Sequence, residues 1–299
     1  MSTCHHVRFR ALGSPCQLHL YGDAVRVQQT VVRVRDWLRT FEQTYSRFRT
    51  DSLLARINDH AGSDWVCDDT TAALIQYGHA LWEQSDGLFD LTSGVLSRCW
   101  DFHGHQLPDP GRLREALSRC GWAHVRWAPP VLHMPEGFAL DFGGIGKEYA
   151  VDVVVNLCRE QGIEHGLVDF GGDIGVIGPH PDGTAWRIGI RHPRQPDRPC
   201  LHLELEAGAI ATSGDYERYL EVEGVRYCHI LNPKTGWPPS TWASMTVIAG
   251  SCLIAGSLAT VAMLREADAP GWLNDTGLPW LGIRPDLSRA GPLADQSSR

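Results

Sequence analysis

The sequence predicts an α+β fold, on three observations. Helical and strand-like segments come in mixed order without regular βαβ alternation, which argues against a doubly wound sheet. No internal repeat or low-complexity linker divides the chain. Of its 299 residues 43% are apolar and 21% charged, enough for one large or two modest cores and too ordinary for wholesale disorder. Residues 1–285 are read as a single domain, and 286–299, rich in Ser, Pro and charge, as a disordered tail.

In chain order, residues 6–21 read as strand, turn and strand: Val7 and Phe9 alternate, Gly13-Ser14-Pro15 breaks the run, and Gln17 to Tyr21 resumes it. Val25, Val31, Val32, Val34, Leu38 and Phe41 fall at roughly helical spacing, which predicts a helix over about 24–45. Asp51-Ser52 is a natural N-cap for a short helix, and 68–85 form an amphipathic helix stopped at Asp86-Gly87. Residues 101–111 are loop, 112–120 helix, and 121–140 short strands broken by Pro129-Pro130 and Pro135-Glu136-Gly137. The stretch 138–190 reads strand, glycine-rich loop, helix over 147–161 ended by Gly162, strand, Gly-Gly turn and strand. Antiparallel strands over 200–232, a strand near 244–249 and a small-residue helix at about 252–266 complete the domain.

The net charge of −8 argues against a nucleic-acid partner, which would need a basic stripe. It leaves room for an anionic ligand, because backbone dipoles can hold phosphate on an acidic protein. Lys147 and Lys234 are the only lysines, both in glycine-flanked, turn-like segments. That placement suggests a need for a compact ammonium, although on this feature alone chance is the favoured reading. Nine cysteines are scattered without a CxxC pair, which fits a reducing compartment rather than a disulfide framework or zinc ribbon. The first residues lack an apolar signal-peptide core and no run approaches a membrane span, so a cytoplasmic location without membrane insertion is expected.

The densest chemical signal is Asp141-Phe142-Gly143-Gly144-Ile145-Gly146-Lys147-Glu148. An acid ends a strand, three glycines let the backbone approach a ligand, and a helix starts at Lys147, which together suit a pyrophosphate. The segment is neither a Walker A loop, which needs Gly at 141 and Ser or Thr at 148, nor a GxGxxG fingerprint. A tight strand-to-helix turn is the alternative. A second cluster runs from Ala211-Thr212-Ser213-Gly214-Asp215-Tyr216 to His229-Ile230-Leu231-Asn232-Pro233-Lys234-Thr235-Gly236. His229 is a candidate acid or base there, although an isolated His is more often structural. Asp86-Gly87-Leu88-Phe89-Asp90 reads alone as a turn into a strand, and Ala255-Gly256-Ser257-Leu258-Ala259-Thr260 as a close-packing helix face. Cys4-His5-His6 and His103-Gly104-His105 mimic metal-ligand spacings, but lie in loop or terminus without a further ligand and are read as solvated. No GxSxG or HExxH occurs.

Taken together, the segments ALGS at 11–14, SRFRTDSLLARIN, DGLFDLTSG, ALDFGGIGKEYAVD, VDFGGDIGVIG, ATSGDYERY, HILNPKTGWP and AGSLATVAML resemble the FAD:protein FMN transferase family, the ApbE-type flavin transferases. The resemblance spans about residues 9–285 and implies a T-fold-related architecture of two subdomains with an FAD cleft between them. It implies transfer of the FMN half of FAD to a Thr or Ser of an acceptor flavoprotein, with Mg²⁺ bridging the pyrophosphate and AMP leaving. FAD contacts are implied at Leu12, Phe48, Leu88, Phe89, Asp90, Asp141, Lys147 and Leu231. Phe48 or Phe89 would serve as the aromatic wall, His229 and Asp141 as the catalytic groups, and the Gly144 carbonyl and Thr260 hydroxyl as metal ligands.

Three positions depart from the family's pattern. Gly256 stands where an Asp usually ligates Mg²⁺, Glu148 where Gly usually follows the Lys, and Asn232 where Asp is usual. Ser257 or Glu148 is a candidate to reach the ion instead. Besides an active transferase, two readings therefore stay open: a non-catalytic FAD-binding relative, in which Gly256→Asp would restore turnover, and an FAD pyrophosphatase using water as acceptor.

Overall fold

The structure is a computed structural model that describes residues 3–102 and 104–295. Its centre is an eight-stranded sheet whose strands lie side by side in chain order. These are β1 (Thr3–Ala11), β2 (Ser14–Gly22), β3 (Gly166–Phe170), β4 (Asp173–Gly178), β5 (Gly208–Gly214), β6 (Ser244–Ala249), β7 (Trp280–Ile283) and β8 (Arg289–Ala290). Every neighbouring pair is antiparallel. The α+β class thus holds, and the absence of βαβ alternation in the sequence is its cause: long excursions return antiparallel to the same edge.

Among the described residues seven α-helices complete the frame: α1 (Ala24–Tyr45), α2 (Leu53–Asp59), α3 (Asp69–Gln84), α4 (Pro110–Leu117), α5 (Gly146–Glu160), α6 (Cys252–Arg265) and α7 (Ala269–Asp275). Five begin at a capping side chain, Asp109 before α4 and Ser251 before α6 among them. The side chains of Asp23, Ser52 and Asp68 accept from the third residue of α1, α2 and α3. One face of the sheet packs on helices, with Leu18, Leu20, Ala209, Ala211, Met245 and Val247 in the main core. The other face, carrying Leu167, Val176, Ile210 and Leu281, is covered by the hairpin Trp186–His192 with Gln195–Leu205. Alternation along each strand therefore serves two cores. A satellite cluster of Val95, Leu96, Leu113 and Cys120, with Leu231 against it, builds a separate loop-rich region.

Four expectations are corrected. Residues 138–142 do not join a sheet. The Asn58 side chain donates to the Leu140 carbonyl and accepts from its N–H, and Asp141 N–H donates to the Leu91 carbonyl. A side chain and a loop thus replace the missing strand partner. The segment after Asp90 enters a 3₁₀ turn over Ser93–Cys99 rather than a strand. Part of the supposed tail is packed, since β8 pairs with β7 and Leu293 is buried against the second core; residues 296–299 lie outside the described residues. Cys4 and His6 are in β1, not in a loose terminus. Pairing of His6 with His19 brings ligand atoms of Cys4, His6 and His19 within 4.8 Å of one another. His103 of the second spacing lies outside the described residues, and His105 is exposed.

Candidate active site

The glycine-rich loop is held from below and behind. Asp141 Oδ1 accepts from Gly143 N–H at 2.8 Å, and Oδ2 accepts from the Arg47 guanidinium at 2.5 Å. Side chains are excluded at two neighbouring glycines. A Cβ at Gly94 would fall 2.4 Å from Asp141 Cβ, and one at Gly144 would fall 2.9 Å from the Phe89 ring. The loop then turns into α5 with Ile145 at its N-cap position, where no side chain caps the helix. Uncapped amide donors and the positive end of a 15-residue helix therefore face the loop.

Lys147, in the first turn of α5, places Nζ 2.7 Å from Asp173 Oδ2. Asp173 begins β4 directly after Gly171 and Gly172, both at positive φ, and is buried. A Cβ at Gly171 would meet Ser14 at 3.1 Å and Lys147 Nζ at 3.8 Å, so the β1–β2 turn abuts the same spot. Leu12 sits in that turn at φ 53°, its N–H donating to Glu42 Oε1. Burial alone would lower the Lys147 pKa, but the carboxylates of Asp173 and Glu148 outweigh it and raise it, so the ammonium is permanent.

His229 follows the strand Val225–Cys228 and rests on the Arg218 carbonyl, which accepts from its backbone N–H at 3.0 Å and lies 3.2 Å from Nδ1. A carbonyl only accepts, so Nδ1 carries the proton and Nε2 keeps its lone pair. The surrounding protein, and then the cations of Arg218, Lys147 and Arg47, pull its pKa down to about 4. At neutral pH His229 is an uncharged base inside a cationic cluster, an arrangement able to take a proton from a hydroxyl beside a bound polyanion.

The predicted residues separate by what their side chains can reach. Asp141, Lys147 and His229 converge with Arg47 and Arg218. Phe48 is 81% exposed with the Arg47 guanidinium over one face of its ring at 4.9 Å, which leaves the other face free to stack. Phe89, by contrast, is 6% exposed beneath Gly144 and cannot be an aromatic wall. Asp90 is also buried: Oδ1 accepts from Thr92 N–H and Oγ–H, and Oδ2 from Trp122 N–H. Its carboxylate ties the loop to residues 120–122, leaving Leu88 and main-chain groups to present this segment outward. Leu231 packs on the satellite cluster. Lys234 lies near the 86–90 loop, where a Cβ at Gly87 would be 3.8 Å from its Cε.

On α6, Thr260 Oγ1 lies 2.8 Å from Ser213 Oγ at the end of β5. Gly256 lies one turn earlier on the same helix face. A Cβ there would fall 2.4 Å from Glu148 Cγ and 3.2 Å from Oε1, so Gly256→Asp would collide with Glu148 rather than restore a lost ligand. Ser257 Oγ instead accepts from Tyr77. Burial, and then Asp173, raise the Glu148 pKa, and its Oε2 has no hydrogen-bond partner. Two surface concavities lie beside the middle and C-terminal end of α5, away from this cluster. Charge and donor placement mark this site. Sequence reasoning missed Arg47, Arg218 and Asp173; the only hint of them was their presence inside quoted segments.

Comparison with known proteins gives one consistent result. Residues 12–280 match the ApbE family. The FAD:protein FMN transferase of Treponema pallidum is 31% identical over 288 residues, covering 85% of this chain and 80% of its own. The Vibrio cholerae enzyme of the same name is 36% identical over 229 residues, covering 73% of this chain and 68% of its own. The crystal structure of the ApbE protein from Thermotoga maritima superposes with a TM-score of 0.91 at 29% identity, covering 99% of this chain and 100% of its own. Flavin transferase ApbE from Vibrio cholerae gives 0.85 at 27% identity, covering 100% of this chain and 98% of its own.

Proposed function

Because the chain belongs to the ApbE family, we propose that it is an FAD:protein FMN transferase whose reaction centre is the cluster of Arg47, Asp141, Lys147, Arg218 and His229. The observation that carries this reading is an uncharged His229 held among three cations beside an uncapped helix N-terminus. The helix end and Lys147 bind the pyrophosphate of FAD, with Leu12, Leu88 and Leu231 bordering the cleft between the sheet body and the loop-rich region. Phe48 stacks on a ring of the dinucleotide. Asp141 acts as a positioning residue, since both its oxygens are spent on Arg47 and the glycine loop.

In the transfer, the hydroxyl oxygen of an acceptor Thr or Ser attacks the FMN phosphorus of FAD. His229 Nε2 takes the hydroxyl proton. The bond from that phosphorus to the bridging oxygen breaks, and AMP leaves with the bridging oxygen. Positioning and charge stabilisation supply most of the acceleration in such a displacement. A Mg²⁺ ion fits the site, because its donors are oxygens and one of them, Glu148 Oε2, is buried without a partner. Gly144 and Thr260 would hold the ion, which when bound neutralises phosphate charge.

Among the described residues no helix is long and apolar enough to cross a membrane. We assign the enzyme to the cytoplasm, with an acceptor reached there. The test incubates the protein with FAD, Mg²⁺ and candidate acceptors carrying an exposed Thr or Ser. Covalent flavin on the acceptor with equimolar AMP is expected. FMN and AMP formed without an acceptor would identify a pyrophosphatase instead.

A further inference from the structure

We propose that Glu148 supplies the charged ligand for the divalent cation of this site, reaching from α5 into the space that Gly256 leaves open on the facing helix. The proposal rests on the transferase reading above and extends it to a specific carboxylate. Its first support is the register of two helices. Asp152 on α5 accepts from the N–H groups of Cys252 and Leu253 at 2.7 and 2.9 Å, capping α6. One turn earlier on α5, Glu148 lies against Gly256, one turn later on α6. Thr260 lies one further turn along α6 on the same face, and Gly144 stands in the loop just before α5 begins. The Glu148 carboxylate and the Thr260 hydroxyl thus share one seam, with the Gly144 loop leading into the helix that carries Glu148.

The second support is steric. Glu148 Cγ occupies the volume that any side chain at 256 would need, at 2.4 Å from an added Cβ. The seam has room for one carboxylate, from either helix. Charge gives the third. Glu148 is 8% exposed with Oε2 unpartnered, and Asp173 beside it is buried as well. Lys147 is paired with Asp173, which leaves one ammonium to two buried carboxylates. A buried polar atom left without a partner forfeits its hydrogen bonding, and a cation at Oε2 would supply the missing partner. The further oxygens nearby, Ser213 and Thr260 hydroxyls, suit a hard ion.

The experiment measures Mn²⁺ affinity by electron paramagnetic resonance titration in the presence of FAD, with melting temperature as a control for folding. Glu148→Gln keeps the side-chain shape and should weaken Mn²⁺ at least by the roughly 10–100-fold that even outer-shell losses cost. Gly256→Asp alone should melt lower and gain no affinity. Glu148→Gly with Gly256→Asp should return Mn²⁺ affinity to within about threefold of the parent, because the carboxylate re-enters the same seam from α6. Undiminished Mn²⁺ binding by Glu148→Gln, no Mn²⁺ binding by the parent, or a folded double variant without recovery would each overturn the proposal. FMN transfer accompanied by indifference to Glu148→Gln sinks this inference alone, whereas Mn²⁺ bound through Glu148 without FMN transfer sinks only the transferase reading.

Discussion

Asp90→Asn separates a ligand contact from a structural anchor. The family resemblance implies an FAD contact at Asp90, yet its carboxylate is buried and accepts three hydrogen bonds, from Thr92 N–H, Thr92 Oγ–H and Trp122 N–H. The amide can keep Oδ1 toward Thr92 but must turn an NH₂ toward the Trp122 N–H, so a donor meets a donor. Losing one charge-assisted bond and weakening two others costs about 2–4 kcal/mol. At roughly 2–4 °C per kcal/mol for domains somewhat smaller than this one, the melting temperature should fall by about 5–10 °C. Thermal unfolding followed by tryptophan fluorescence gives that shift, and a flavin-fluorescence titration well below the transition gives FAD affinity, which should change less than about threefold if the site stays folded. A melting temperature within about 2 °C of the parent, combined with a tenfold or greater loss of FAD affinity, would refute the reasoning and return Asp90 to the ligand.

Replacing His229 with Ala should lower kcat for FMN transfer by about 10²–10⁴-fold while FAD binding persists, as measured by single-turnover AMP release. His229 is held down to about 4, below its ordinary 6.5, and is therefore already deprotonated above about pH 5. The parent kcat/KM should accordingly show no inflection near 6.5; one that disappears in the variant would contradict the cationic cluster as its cause. Phe48→Ala should leave the melting temperature unchanged and raise the KM for FAD by roughly 5–100-fold, from the ~1–3 kcal/mol of one stacked ring. Phe89→Ala should do the reverse, losing about 3–5 kcal/mol of stability through a cavity beneath Gly144, which a denaturant titration would detect.

Local signals made much of this protein legible. The helical spacing of Val31, Val34, Leu38 and Phe41, the cap at Ser52, the helix starting beside Asp68 and the stop at Gly162 each depend on neighbours within a few residues, and each appears where the sequence puts it. The glycine loop with Lys147 was legible for the same reason, since a strand-like end, three glycines and a helix start are one continuous stretch. Arg47 and Arg218 were not, because the chain uses Arg for nearly all its fixed cations and nothing local distinguishes the two that face His229.

Tertiary structure alone decided the rest. Phe138, Leu140 and Phe142 alternate as a strand does, but their neighbour is the Asn58 amide, supplied from α2. Phe89 and Asp90 read as binding residues until the fold turns both inward. His19 joins Cys4 and His6 only through the β1–β2 register. The meeting of Glu148 with Gly256 depends on how two distant helices pack. Sequence by itself determined which segments coil, extend or turn, because those preferences are set by short-range sterics and hydrogen bonding. Which side chains meet was left to the packing of one element on another, because a carboxylate and the gap that receives it need share no proximity along the chain.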